Sequence, residues 1–339
     1  MEFALLKKHD LFSIISSSCL AFSTFSAQAY EALTDISLQR GFQEISYISA
    51  GKIKNYKVKE PKKRISDLCS KLTKKFKEYN WSSNPCGDVS WQAEYKTKSD
   101  LPLIWTKFGE GENTTLFLGG VHPDELTPVH LAFRLARYLQ HNPVMYENNK
   151  SSIIVAPLVN PDGFFFKKPK RTNGLVDLNR NFNTLDWYDK FYGPKKIRAL
   201  RYFPGFFPNT EIETFFQTDL ASRFKPQKML SLHAPLGFLD YDGPSGSTGH
   251  FLQILKDNTK ILAQEVARKA YNYKVVNWNI FPGSLGNFYG FERNLPTITI
   301  ELETTDPMKT DIYWRKFLPG FIEAIQFKFP AHASNLIKP

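Results

Sequence analysis

The chain has 339 residues, 42% of them hydrophobic and 23% charged, with a formal net charge of +11. Such a length buries a substantial core and fits one large domain, alone or with a small partner. The composition is that of an ordinary globular protein, and the charge suits an anionic surrounding such as cell wall, lipid headgroups or nucleic acid.

The first residues read as a targeting segment rather than as fold. Lys7 and Lys8 form a basic start, Leu11 to Phe25 is moderately apolar though rich in serine, and Ala27-Gln28-Ala29 is a small-residue cleavage site. We expect a signal peptide over 1–29, cleavage after Ala29, and a periplasmic or secreted product. A lipoprotein anchored through Cys19 is disfavoured, because Ser16-Ser17-Ser18 makes a poor lipobox. No later segment is apolar for long enough to cross a bilayer. Loss of Cys19 leaves Cys69 and Cys86. Two cysteines in an oxidising compartment invite a disulfide worth roughly 3 kcal/mol; two unpaired thiols are the alternative.

Residues 30–95 are expected to form a basic extension. Lys52 to Lys77 holds eleven basic residues, a pattern that is most often a solvated face. No zinc-finger spacing, RNA-binding signature or basic-aromatic alternation argues for a nucleic-acid partner. After Pro61, the residues Ile65, Leu68, Leu72, Phe76 and Tyr79 fall on one helical face. This helix would pack on the edge of the main domain or cover its active-site mouth.

From residue 96 to 330 strands and helices alternate, leaving 331–339 as a tail. Strands are predicted at Leu103 to Phe108 and Thr114 to Leu118, joined by a turn-rich Gly-Glu-Gly-Glu-Asn. A helix follows, with Thr127 as N-cap and Pro128 at its first position. Further strands are predicted at Ile153 to Pro157, Lys228 to Leu232, Lys274 to Trp278 and Thr297 to Leu302. Asn160 to Gly163 reads as a turn. Helices are predicted at Glu211 to Arg223, near Phe251 to Tyr271, and at Ile312 to Phe327, the last disturbed by Pro319 and Gly320. This order argues an α/β fold whose mixed, mostly parallel central sheet is sandwiched by helices. Ligands bind such sheets at the carboxyl ends of the strands.

Four chemically apt side chains sit at or near such ends. His122 and Glu125 occupy Gly-Gly-Val-His-Pro-Asp-Glu, His233 closes Ser-Leu-His, and Glu301 closes Thr-Ile-Thr-Ile-Glu. Two imidazoles and a carboxylate can hold a zinc ion with one position open. A further carboxylate can take a proton from water there. A mixed nitrogen–oxygen set favours zinc, with cobalt and manganese as alternatives. Asn179-Arg180, in Val-Asp-Leu-Asn-Arg-Asn-Phe, can hold an anionic substrate end. Taken singly, each piece has a plainer reading. His122 could lie on a surface loop, His233 could be a satisfied core histidine, and Arg180 could pair with Asp177 or Asp186. A carboxylate at Glu301 in a buried strand needs a partner or a function.

With these motifs the chain resembles the zinc metallocarboxypeptidase family, and within it the bacterial murein peptide amidases. The similarity runs from residue 96 toward the C terminus. It includes Gly120 to Glu125, Asn160 to Gly163, Val176 to Phe182, Glu211 to Thr214, Ser231 to Leu236, Pro282 to Gly286 and the strand ending at Glu301. The resemblance implies a zinc carboxypeptidase-like fold, one zinc ion on His122, Glu125 and His233, and Glu301 as general base. It implies Asn179 and Arg180 as holders of the terminal carboxylate and Arg171 as oxyanion stabiliser. Where the family often has a substrate-covering tyrosine, this chain has Asn279, beside Trp278. The implied reaction is hydrolysis of the γ-D-glutamyl–meso-diaminopimelate bond of peptidoglycan stem peptides, taking tripeptide to dipeptide. Competing expectations are a carboxypeptidase on all-L peptides, a deacylase of small N-acyl amino acids, and a non-catalytic wall-binding protein. Oligomeric state is not legible.

Overall fold

The computed structural model describes residues 53–81, 84–166, 172, 175–188, 200–243 and 250–329. The expected signal segment, Arg171 and the tail 331–339 lie outside the described residues. Helix α1 (Pro61–Glu78) comes first, followed by strands β1 (Gln92–Lys96), β2 (Pro102–Phe108) and β3 (Asn113–Leu118). Then come α2 (Leu126–His141), β4 (Ser151–Ala156), α3 (Ile212–Phe224), β5 (Lys228–His233) and β6 (Phe238–Asp242). The chain continues with α4 (His250–Lys269), β7 (Val275–Val276), a π-helical turn at Gly286–Phe291, β8 (Thr297–Glu301) and α5 (Thr310–Gln326). No described helix is long and apolar enough to cross a membrane.

The strands form one eight-stranded sheet in the order β1-β2-β4-β3-β5-β8-β6-β7. The centre, β4-β3-β5-β8, is parallel, and β6 runs antiparallel to β8. Central strands β3, β4 and β5 are buried at every residue, as expected when helices cover both faces. Alternation along β2 divides those faces: Trp105 meets Phe224 of α3, while Phe108 meets Tyr146 on the opposite side. Phe117 of β3 packs on Phe321 of α5.

Because β3, β5 and β8 are adjacent and parallel, their carboxyl ends share one edge of the sheet. That is the placement the sequence pattern implied for His122, His233 and Glu301. Gly120, with φ of 61°, turns the chain off β3, where an added Cβ would meet Leu158. The next helix differs from expectation at its start. Glu125 holds the N-cap position of α2, and the Thr127 hydroxyl instead donates to the Thr304 carbonyl at 2.7 Å. Pro319 sits within α5 without ending it. The strand expected over Lys274 to Trp278 contracts to Val275–Val276, and Asn160 opens a helical turn at Pro161–Phe166 rather than a simple reversal. Strand β6 was not foreseen. It begins only five residues after His233, past a cis Ala234–Pro235 peptide, and carries two aspartates.

Helix α1 buries Leu68, Leu72 and Phe76 in the same apolar cluster as Val129 and Phe133 of α2. Phe76 meets Phe133, His130 and Trp81 edge-on. The extension therefore packs against the α2 side of the sheet. A Cys69–Cys86 disulfide closes its loop.

Candidate metal centre and active site

Three buried side chains converge at the shared strand edge. His122 Nδ1 lies 3.0 Å from Glu125 Oε1, His233 Nδ1 lies 3.0 Å from Glu125 Oε2, and the two Nδ1 atoms are 3.1 Å apart. One ligand atom from each lies within 4.8 Å of the others. Donors bonded at about 2.0–2.1 Å to one tetrahedral ion are separated by roughly 3.3 Å, so the spacing fits zinc.

The outer ring atoms decide which nitrogen faces inward. His122 Nε2 is 3.0 Å from Asp177 Oδ1, and His233 Nε2 is 3.0 Å from Ser231 Oγ. A carboxylate accepts, so Asp177 holds the proton on Nε2 and leaves the Nδ1 lone pair for a cation. Asp177 is the residue that sequence reasoning weighed only as a partner for Arg180. Its position in Val-Asp-Leu-Asn-Arg was the available signal.

Electrostatics agree with this geometry. Burial alone would lower the pKa of His122, but the Glu125 and Asp177 carboxylates outweigh it and hold the value at about 9. Burial would raise Glu125, but the two imidazoles hold it well below the usual carboxylate range. In Glu301, burial pushes the carboxyl up, and Glu125 adds to the effect against the two histidines. A general base benefits from a value nearer neutrality. Glu301 stands opposite His233 in the β5–β8 register, and Leu236 N approaches its Oε2 at 3.5 Å.

The segment from Asp177 to Phe182 is bolted in place by its neighbours. Asn181 Nδ2 donates to the carbonyls of Pro204 and Phe207, and its Oδ1 accepts from Glu211 N and Thr214 Oγ1. The Glu211 to Thr214 motif thus serves as a clamp. Asn179 Oδ1 accepts from Leu285 N at 2.9 Å, which ties the Pro282 to Gly286 motif to the segment as well. Arg180 is buried, and burial pulls its pKa down. Its guanidinium lies between the rings of Phe281 (4.5 Å) and Tyr202 (5.4 Å) and donates to Asn179 O. No carboxylate stands within ion-pair distance of it among the described residues. Asn279 is exposed on the loop after β7. Arg171 falls outside the described residues.

Residues 90–320 match the family described as zinc carboxypeptidase. The chain belongs to this family, whose members depend on zinc, and it is a metallocarboxypeptidase by fold and site. Among solved structures it is similar to a murein-tripeptide amidase of Escherichia coli O157 (22% identity, TM-score 0.52), with 73% of this chain and 96% of that one covered. It is also similar to bovine thrombin-activatable fibrinolysis inhibitor (17% identity, TM-score 0.57; 80% and 97% covered). A third is carboxypeptidase A from Helicoverpa armigera (16% identity, TM-score 0.53; 76% and 72% covered). No curated protein sequence matches the chain.

Proposed function

We propose that the protein is an exported, zinc-dependent carboxypeptidase that hydrolyses the γ-D-glutamyl–meso-diaminopimelate bond of peptidoglycan stem peptides. The observation that carries this reading is the meeting of His122, Glu125 and His233 at the sheet edge where Glu301 also ends. The likeness to a murein-tripeptide amidase supports the choice of substrate. The Cys69–Cys86 disulfide suits an oxidising compartment, in keeping with a cleaved segment at 1–29.

His122, Glu125 and His233 would hold one zinc ion. When bound, the ion lowers the pKa of water toward neutrality and polarises the scissile carbonyl. Glu301 takes the proton of the attacking water and later delivers it to the leaving amine. Arg180 and the Asn179 amide hold the free carboxylate of the departing residue, which fixes the register of cleavage. Arg171 contributes positive charge to the oxyanion, and Asn279 borders the substrate. Digestion of purified muropeptides tests the reading. Tripeptides should become dipeptides by mass, with a chelator abolishing the change and zinc restoring it. Unaltered tripeptides in the presence of zinc would overturn it.

A further inference from the structure

A cleft of about 300 Å³ lies at the seam between the extension and the catalytic domain. One wall is α2, where His130, Arg134 and Arg137 recur at the i, i+4, i+7 spacing of a single helical face. Tyr79 to Trp81, the chain leaving α1, form a second wall. Pro307 and Met308, ahead of α5, and Thr310 and Asp311, at its start, form a third. The lining shares no residue with the metal centre. Its volume stands at the small end of the range for small-molecule sites.

The α2 wall offers donors. His130 is 5% exposed, and its Nδ1 is sealed in without a hydrogen-bond partner. Burial and the charges of Arg134 and Arg137, against that of Asp311, hold the ring pKa at about 3, so the imidazole is neutral. A neutral imidazole carries one proton, and on Nδ1 it would be a buried donor with nothing to accept it. The proton therefore sits on Nε2, the nitrogen that is not sealed in, and the ring lines the cleft with an N–H. Arg134 spends one terminal nitrogen on the exposed Asp311 carboxylate, and a guanidinium has five N–H donors. Two cations against one carboxylate leave the cleft net positive.

The facing walls offer apolar surface. The Trp81 ring stacks on His130 with centroids 4.5 Å apart, and its Nε1 is already spent on the Pro307 carbonyl at 2.8 Å. Tyr79 packs on Trp81 at 4.8 Å. Met308, 65% exposed, adds its thioether.

We propose that this cleft binds a small organic oxyanion: a carboxylate or phosphate held by Arg134, Arg137 and the His130 Nε2–H, joined to an apolar body that lies against Tyr79, Trp81 and Met308. Because the walls come from both the extension and the catalytic domain, the bound anion ties the two together. The site does not depend on which bond the enzyme cuts, so binding alone tests it. The zinc-loaded protein is titrated by calorimetry with phenyl phosphate, benzoate, inorganic phosphate and benzyl alcohol. Phenyl phosphate or benzoate should bind at least about tenfold more tightly than inorganic phosphate and benzyl alcohol, and the tighter of the two names the oxyanion. Arg137→Gln should weaken that binding by about tenfold or more. Failure of both aromatic anions to bind at about 10 mM overturns the assignment. Equal affinity for inorganic phosphate or for benzyl alcohol does the same. An Arg137→Gln variant with wild-type affinity also overturns it, by placing the anion elsewhere, as at the zinc. Should that variant melt early, Met308→Trp decides. The larger ring fills the cleft from an exposed position and should abolish binding; binding that survives it overturns the assignment.

Discussion

Two buried histidines bracket the start of α2 and meet opposite fates. His122, just before the helix, touches two carboxylates that hold its pKa at about 9. His130, one turn inside, stacks on Trp81 at 4.5 Å and lies under Phe76. There burial, aided by the charge of Arg134, drives the pKa down to about 3. Both side chains are over nine-tenths buried. Burial therefore does not separate a ligand from a core residue; the carboxylates around the ring do. The start of α2 borders a polar centre, and the apolar face of the same helix, from one turn further along, seals the seam to the extension.

The sharpest way to break this contrast is at the polar end. Glu301→Gln should lower kcat/KM by about 10²–10⁴-fold, with zinc content by atomic absorption and melting temperature unchanged. A variant that keeps its activity would remove Glu301 as the base. At the seam, replacing both Cys69 and Cys86 by serine should cost roughly 3 kcal/mol for a loop of this length. Urea unfolding measures that loss, and kcat at low temperature should stay as it was. Asp177→Asn should weaken zinc binding by about 10–100-fold, read by competition with a chromophoric chelator, because the ring of His122 loses its charged anchor.

The smallest effect concerns pH. His130 has a folded value below its ordinary one, so between about 6.5 and 3 the unfolded chain takes up a proton that the folded chain refuses. Its contribution to stability is therefore present above about 6.5 and lost as pH falls through that window. His130→Gln should flatten the decline in melting temperature over that range. An unchanged slope would place the acid sensitivity elsewhere.

Much of the site was legible because its chemistry is tied to strand ends. His122, Glu125, His233 and Glu301 each follow a run of apolar residues whose direction and burial could be read, and parallel packing forces such ends to one edge. Residues that act by bracing others were harder to see. Asp177 was weighed only as an ion-pair partner, and Asn181 gave no signal beyond its motif, because their roles depend on atoms from Pro204, Thr214 and His122. Strand β6 escaped for a related reason. Two aspartates in five residues argue against a buried strand, and only pairing with β8 makes them part of one.

The amino-acid sequence by itself determined the α/β order, the amphipathic face of α1, the candidate ligands and the family resemblance, since periodicity and spacing are local properties of the chain. Tertiary structure alone decided which ring nitrogens face inward, that Arg180 forms no ion pair among the described residues, that Asp240 and Asp242 share a face with Glu301, and where the extension docks. Each of those depends on groups far apart in the chain, and the free energy of a buried charge is set by what surrounds it rather than by what precedes it.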